Sequence, residues 1–235
     1  MRYTWATATH QGMVRDNNED AVFPDSSGES VGPAVLIVAD GMGGHVAGEV
    51  ASRLAINAAA STDVDPADRI AAGNRAIREQ VAVDPSLEGM GTTMTLVSLE
   101  PDGRARFAHV GDTRAYLYRD GELSQLTEDH TVAAEYATMG EISWEEATTH
   151  PQRHMLTRAL GLTRFINVDE FDLELQDGDR LLLCSDGLNE MVPDDTIAET
   201  LAEGAVDEVA WNLVERANTA GGVDNVTVIV VDVSD

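Results

Sequence analysis

One stretch decides the fold: Ala34-Val35-Leu36-Ile37-Val38-Ala39-Asp40-Gly41-Met42-Gly43-Gly44-His45. Its unbroken apolar run has the length of a strand and no polar face, which predicts a buried strand. The run ends in a carboxylate, and the glycines that follow let the backbone come close to whatever Asp40 holds. An isolated Asp-Gly pair would be interpreted as an ordinary turn. Three further segments of this chain favour a functional interpretation.

Composition bounds the class of protein. The chain has 235 residues, of which 43% are hydrophobic, enough to bury a substantial core. With 15 Lys and Arg against 42 Asp and Glu, its net charge of −27 argues against nucleic-acid or anionic-membrane partners, which it would repel. We find no signal-peptide pattern and no apolar run long enough for a membrane span, so we expect a cytoplasmic protein; a tether beyond residue 235 stays open. The single Cys184 lies in an apolar run and is expected to pack as a small hydrophobe.

The chain is expected to form one domain over residues 1–235. Apolar residues at helical spacing predict a helix from Val46 to Ala60, directly after the glycine turn. Asp65 as N-cap and Pro66 as the first helical residue predict a second helix to about Ala82. The run from Gly91 to Val97 is predicted to be a strand. Residues 128–155 carry little alternation and a capping-box pattern from Ser143 to Glu146, which predicts a helical flap over one rim of a sheet.

Five aspartates lie at the ends of predicted strands. Asp40, Asp112 and Asp186 each close an apolar run, whereas Asp20 and Asp224 each open one. A hairpin that paired the runs beginning at Ala21 and Ala34 would place Asp20 and Asp40 at one rim.

Carboxylates gathered at such a rim cannot all stay ionised unless cations are present, because each raises the pKa of its neighbours. All candidate ligands are oxygens, which favours Mg²⁺ or Mn²⁺ over zinc. A pair of these ions would acidify a water for in-line attack on phosphorus, so the residues predict metal-assisted phosphoester hydrolysis.

Seven motifs occur in order along nearly the whole chain. They are Arg15…Asn18-Glu19-Asp20, Asp40-Gly41-Met42-Gly43-Gly44-His45, Gly91-Thr92-Thr93, Gly111-Asp112-Thr113-Arg114, Leu126-Thr127…Asp129-His130, Ser185-Asp186-Gly187 and Gly222…Asp224-Asn225-Val226-Thr227. In this order they resemble the motifs of bacterial PP2C-type (PPM) protein serine/threonine phosphatases. The resemblance implies an α+β fold, a four-layer α-β-β-α sandwich in which helix pairs flank two central, mostly antiparallel sheets.

The resemblance also implies roles for individual residues. Asp40 would bridge two Mn²⁺ or Mg²⁺ ions, with the Gly41 carbonyl holding one ion and Asp186 and Asp224 the other. Asp112 with Asp186 matches a third, weaker metal position. Arg15 matches the phosphate-binding arginine. Around these ligands would lie Glu19, Asp20 and Asn225. The carboxylates of Glu19 and Asp20 would orient metal-bound waters.

One position departs from the eukaryotic branch of this family, in which a histidine directly follows the Asp-Gly pair and is taken as the general acid. Here Met42 stands there, and a thioether cannot donate a proton. Either His45 or metal-bound water must then protonate the leaving oxygen. If His45 does so, His45→Ala would slow hydrolysis of phosphopeptides more than that of nitrophenyl phosphate, because an alkoxide needs the proton more than a phenoxide does.

The leading hypothesis is a monomeric phosphatase that hydrolyses phosphoserine and phosphothreonine in proteins and reverses serine/threonine kinase signalling. Its expected partners are phosphorylated proteins, including the kinases and their substrates. One alternative is a catalytically inactive relative that binds phosphoproteins as a regulator, although the metal-ligand set is intact. A narrower alternative keeps the enzyme but gives it one target, such as a phosphorylated anti-sigma antagonist.

Other chemically capable residues have simpler interpretations. His109 is expected to be a packed or hydrogen-bonded sheet residue, and Arg114 to pair with nearby carboxylates. The tryptophans Trp144 and Trp211 are expected to anchor helices to the core. The flap contains His130, His150 and His154. These histidines could contact substrate, but exposure to solvent is at least as well supported.

Overall fold

The computed structural model describes residues 1–43 and 47–235. Its strands are β1 (Arg2–His10), β2 (Asp20–Phe23), β3 (Gly28–Ser30), β4 (Ala34–Met42), β5 (Gly91–Thr92), β6 (Met94–Leu99), β7 (Arg104–Val110), β8 (Arg114–Arg119), β9 (Glu122–Gln125), β10 (Asp169–Glu174), β11 (Arg180–Cys184) and β12 (Val226–Ser234). Its helices are α1 (Ala47–Ala60), α2 (Pro66–Val83), α3 (Val132–Thr138), α4 (Trp144–Thr148), α5 (Asp186–Asn189), α6 (Asp194–Leu201) and α7 (Val206–Thr219), with a 3₁₀ turn at Pro85–Leu87.

The strands form two antiparallel sheets. One has the order β3-β1-β12-β11-β8-β9, and the other has the order β10-β7-β6-β4-β2, with β5 paired to β4. The α+β sandwich with two central antiparallel sheets is therefore confirmed.

Side-chain alternation explains why the central strands are apolar on both faces. In β12, Ile229 and Val231 pack between the two sheets, whereas Val228 and Val230 pack against the helices outside. The side chains of strand β4 alternate in the same way, and Leu36 and Val38 face the sheet that contains β12. Because successive strand residues point to opposite faces, a strand covered on both sides has no polar face to show.

The outer layers are the helix pairs. Helices α1 and α2 cover the sheet that contains β4, through a core that includes Ala51, Ala55 and Ile70. Helices α6 and α7 cover the sheet that contains β12, through residues such as Ile197 and Leu213. Together with the two sheets they make the four layers expected of an α-β-β-α sandwich.

Two local details differ from the sequence-based expectation. The predicted strand from Gly91 to Val97 is broken at Thr93, whose backbone N–H instead donates to the Asp40 carbonyl at 2.9 Å. Asp65 does precede helix α2, but its side chain makes no capping hydrogen bond. It accepts from Arg106 at 2.9 Å, so a long-range ion pair replaces the local cap.

The segment predicted to be a helical flap, residues 128–155, contains α3 and α4. Ser143 and Glu146 form the expected capping box, with the Glu146 N–H donating to the Ser143 hydroxyl at 3.1 Å. The expectation for the two tryptophans is wrong: Trp144 is 56% exposed and Trp211 50% exposed. The flap core is too small to cover the Trp144 indole, because it consists mainly of alanines.

None of the helices in the described part of the chain combines the length and apolar character needed to cross a membrane.

Candidate metal-binding active site

The site begins with the register of the β2–β4 hairpin. In that register Asp20 lies directly opposite Asp40, as the hairpin prediction required. The backbone of Asp40 is held on its other side by Thr93, whose hydroxyl accepts from the Asp40 N–H at 3.0 Å. The two carboxylates are thereby fixed at one end of their sheet.

The second sheet brings Asp186 and Asp224 to the same edge. Asp186 follows β11 and Asp224 precedes β12, and these two strands pair antiparallel, so the end of one lies beside the start of the other. The Ser185 hydroxyl donates to Asp20 at 2.7 Å and accepts from the Thr227 N–H at 2.9 Å. This buried hydroxyl joins the two sheets at the carboxylates.

Asn225 holds the loops around the edge. Its side-chain oxygen accepts from the Glu19 N–H at 2.8 Å, and its amide donates to the carbonyls of Gln11 at 2.9 Å and Asn17 at 2.8 Å. Gly187 packs so closely that an added Cβ would lie 2.0 Å from the Asn225 carbonyl oxygen. A glycine is required there by close packing of backbone on backbone.

Asp112 lies in the loop after β7, and the base of the flap fixes that loop. The Gly111 N–H donates to Nδ1 of His130 at 3.0 Å, and the His130 N–H donates back to the Gly111 carbonyl at 2.7 Å. Since Nδ1 accepts, the neutral ring carries its proton on Nε2, which donates to Asp169 at 3.0 Å. His130 is buried, so exposure to solvent is not its role.

Two other sequence-based expectations agree with the structure. His109 is buried in the sheet and hydrogen-bonded to Thr95 and to the Glu128 carbonyl. Arg114 forms a two-pronged ion pair with Asp129, with contacts of 2.9 and 2.7 Å.

The electrostatics of the edge are unfavourable for bare carboxylates. Burial raises the pKa of Asp20 and Asp186 to about 7, and neighbouring carboxylates add to the increase. Burial likewise raises the pKa of Asp40 and Asp112 well above the usual range of a carboxyl group, and again nearby aspartates add to it. Within the described residues, one buried oxygen each of Asp20 and Asp186 has no hydrogen-bond partner.

These observations fit a divalent cation. Buried, mutually repelling carboxylate oxygens without donors are stabilised by a hard cation, and the donor set around them is oxygen throughout. Asp40, Asp186, Asp224 and Asp112 could supply such oxygens.

The sheet edge that carries these aspartates is called the acidic edge below: Asp20, Asp40, Asp112, Asp186 and Asp224. Arg15 lies beside it on the exposed loop before β2. Its guanidinium forms an ion pair with Asp224, and about half of its side chain is exposed. The charges of Asp224, Glu19 and Asp40 oppose the effect of burial and raise the pKa of Arg15 above its usual value. A fixed guanidinium at the mouth of the site can bind a phosphoryl group. His45 lies outside the described residues.

Two residues near the edge were not expected from the sequence. The ligand atoms of His154, Asp186 and Glu190 lie within 4.8 Å of one another, and His154 Nδ1 is 2.5 Å from a Glu190 oxygen. The sequence does offer a signal for Glu190, which stands four residues after Asp186 and so shares its side of a helical turn. For His154 the sequence predicted possible contact with substrate but not the position beside Glu190, because the flap brings that residue from a distant part of the chain.

Fold and edge together define a class: an α-β-β-α sandwich with an oxygen-lined divalent-metal site at one end of its two sheets. The family model described as Protein phosphatase 2C matches residues 9–219. The chain belongs to the protein phosphatase 2C family.

Three comparisons, all with proteins named PstP, are informative. The chain is similar to the serine/threonine protein phosphatase PstP of Mycobacterium tuberculosis, with 46% identity over 98% of this chain and 45% of that protein. It thus spans about half the length of this relative. The crystal structure of M. tuberculosis PstP/Ppp superimposes with a TM-score of 0.91 at 43% identity, covering 100% of both chains. The PstP catalytic domain in complex with two manganese ions superimposes with a TM-score of 0.87 at 42% identity, covering 100% of this chain and 99% of that one.

Proposed function

We propose that residues 1–235 form one catalytic domain, with residues 128–155 as its flap, that hydrolyses phosphoserine and phosphothreonine in proteins. The observation that carries this proposal is the convergence of Asp20, Asp40, Asp112, Asp186 and Asp224 at one edge, with buried oxygens that lack hydrogen-bond donors among the described residues. The relatives named serine/threonine protein phosphatases support it. No observation favours the catalytically inactive regulator.

The same residues would hold two divalent cations, and manganese is the first choice because a PstP catalytic domain binds two manganese ions. We assign Asp40 and the Gly41 carbonyl to one cation, and Asp40 with Asp186 and Asp224 to the other. A third cation, bound more weakly, would use Asp112 with Asp186. When bound, such cations supply Lewis-acid polarisation of phosphoryl oxygens and activation of water as a nucleophile at neutral pH.

The other residues of the site act around that chemistry. Arg15 would bind the substrate phosphoryl group through its guanidinium, exchanging its contact with Asp224 for the more highly charged phosphate. Glu19 and Asp20 would orient waters, and Asp20 is itself held by the Ser185 hydroxyl. Asn225 fixes the loop that carries Glu19. His45 keeps its proposed role as general acid on the sequence argument alone.

We also propose that the protein is a cytoplasmic monomer that acts on phosphorylated proteins, among them serine/threonine kinases and their substrates. The net charge of −27 supports the monomer, because like-charged copies repel one another. Light scattering on a size-exclusion column should give a mass near 25.2 kDa. A mass twice as large would refute the monomer.

The proposed activity is tested with a phosphothreonine peptide and the purified protein in Mn²⁺, in Mg²⁺ and in excess chelator. We expect turnover only with metal, and its loss in Asp186→Ala. The matched control is Asp177→Ala, which removes a carboxylate from the turn before β11, at the opposite end of the strand that leads to Asp186. Calorimetric titration with Mn²⁺ should show weaker binding in Asp186→Ala and unchanged binding in the control. Tight metal binding by the unmodified protein without turnover would refute the enzyme.

A further inference from the structure

A groove runs from the acidic edge along the base of the flap. Its volume is about 1200 Å³, and Asp112 and Asp186 lie in its lining. The flap helices supply one wall, with Ala133, Ala134 and Trp144. The segment from Asn189 to Asp195 supplies part of the opposite wall. A polypeptide whose phosphorylated residue reached the acidic edge could therefore continue along this groove.

The charges that line the groove are strongly unbalanced. Seven carboxylates and two arginines lie in the lining. One arginine, Arg114, already donates two hydrogen bonds to the Asp129 carboxylate. Asp194 and Asp195 lie exposed in the first turn of α6, and neither forms an ion pair with any residue that the structure describes. Even after Asp112 and Asp186 are assigned to cations, the groove keeps an excess of negative charge.

The groove differs from a merely acidic surface in three respects. It is concave and continuous with the proposed catalytic edge. The exposed Trp144 indole lies in the same lining as the carboxylates, which suits a side chain that combines an apolar stem with a cationic head. The side-chain oxygen of Asn189, also in the lining, is buried and has no hydrogen-bond donor among the described residues. Arginine and lysine side chains meet all of these requirements.

We propose that this groove binds the substrate polypeptide beside its phosphorylated residue and selects sequences with arginine or lysine there. Asp194 and Asp195 on one wall and Glu128 at the start of the flap are its specificity-determining residues, and Trp144 packs on the stem of the basic side chain. The inference rests on the proposed function, since it requires the phosphorylated residue to be at the acidic edge.

The test compares phosphothreonine peptides that differ only in their flanks. One series carries a single arginine, scanned from two to five positions on each side of the phosphothreonine; matched series carry alanine or glutamate. We expect arginine to lower KM at one or more positions, and glutamate to raise it. The preference should shrink at high ionic strength, because it is electrostatic.

The variant is Asp194→Asn with Asp195→Asn, and the matched control is Asp207→Asn with Glu208→Gln. The control removes the same charge from the same place in another helix, the first turn of α7, outside the groove. We expect the groove variant to reduce the arginine-to-alanine ratio of kcat/KM by about fivefold, mostly through KM, as two partly exposed ion pairs allow. The control should retain the ratio of the unmodified protein. If the first variant does not fold, Glu128→Gln should shift the ratio in the same direction.

Hydrolysis of nitrophenyl phosphate, which has no flanking residues, separates the two proposals. If the unmodified protein hydrolyses it but shows the same kcat/KM for arginine and glutamate peptides, the groove inference is wrong and the proposed function stands. If the unmodified protein with Mn²⁺ hydrolyses neither nitrophenyl phosphate nor any peptide, the proposed function fails. An equal fall of the ratio in the groove variant and in the control would assign the effect to net charge and would also overturn the groove inference.

Discussion

His109 should make the folded protein sensitive to mild acid. The side chain is buried in β7, where its Nδ1 accepts from the Thr95 hydroxyl at 2.8 Å and its Nε2 donates to the Glu128 carbonyl at 3.1 Å. Burial lowers the pKa of His109 to about 3, and the neighbouring His130 ring adds to this effect. The imidazole therefore stays neutral in the folded protein at a pH where the unfolded chain is protonated.

The sign and size of the effect of His109 on the free energy of unfolding follow from proton linkage. Between pH 6.5, the ordinary pKa of the imidazole, and about 3, the unfolded state binds more protons than the folded state, so stability falls as the pH falls. At pH 7.5 the contribution of His109 to this loss is negligible. At pH 5 it amounts to about 2 kcal/mol, because only the unfolded imidazole has been protonated by then.

The perturbation is His109→Gln, which keeps an amide donor but has no group that titrates in this range. Urea unfolding at 25 °C, in chelator so that metal binding does not change with pH, would be followed at pH 7.5 and at pH 5. We expect the variant to be the less stable protein at pH 7.5, by about 1 kcal/mol for the lost hydrogen bond. Its loss of stability between the two pH values should be smaller than that of the unmodified protein by about 2 kcal/mol.

Phe107→Leu is the matched control, because Phe107 is buried in the same strand and does not titrate. It should lower stability by the same amount at both pH values. If His109→Gln and the unmodified protein lose equal stability between pH 7.5 and pH 5, the argument that His109 is held neutral is wrong. Carboxylates at the acidic edge titrate in the same window, but they are common to both proteins and cancel in the comparison.

Two further predictions concern packing and ion pairing. Gly187→Ala should lower the free energy of unfolding by about 1–3 kcal/mol, because the new methyl group would overlap the Asn225 carbonyl. It should also weaken Mn²⁺ binding in a calorimetric titration, because Asp186 and Asp224 lie next to the two overlapping residues. Unchanged affinity would show that the overlap does not displace the carboxylates. Arg114→Lys should cost about 2 kcal/mol in urea unfolding, because an ammonium group cannot form the two-pronged contact with Asp129. The exposed Arg2→Lys should change stability by less than about 0.5 kcal/mol, and equal losses in the two variants would contradict this reasoning.

Much of the fold could be predicted from local pattern. Apolar runs such as residues 34–39 identified central strands, since only a strand covered on both faces lacks polar alternation. Proline and capping residues placed the start of α2 and of α4 within a residue. The resemblance to a known family then supplied the layer order, which periodicity alone does not encode. Where local reasoning went wrong, at Thr93 and at Asp65, a long-range partner had replaced the local hydrogen bond.

The sequence likewise predicted only part of the candidate site. That Asp20 and Asp40 share one rim could be predicted, because antiparallel pairing places the start of one strand beside the end of the other. That the hydroxyl of Ser185 joins Asp20 to the other sheet could not, since the two residues are far apart in the chain. The same holds for His130, which fixes the loop of Asp112 from the base of the flap, and for His154 beside Glu190.

By itself, the sequence determined which residues could form the acidic edge. Residue type and strand position fix the number of carboxylates, the oxygen character of the donors and the alternation that buries each strand. Only the tertiary structure decided what surrounds those carboxylates: which oxygens lack donors, where Arg15 is held, and how the flap and α6 enclose an acidic groove. The physical reason is that burial, hydrogen bonding and the interaction of charges depend on distances between segments remote in the chain, and those distances exist only once the layers have packed.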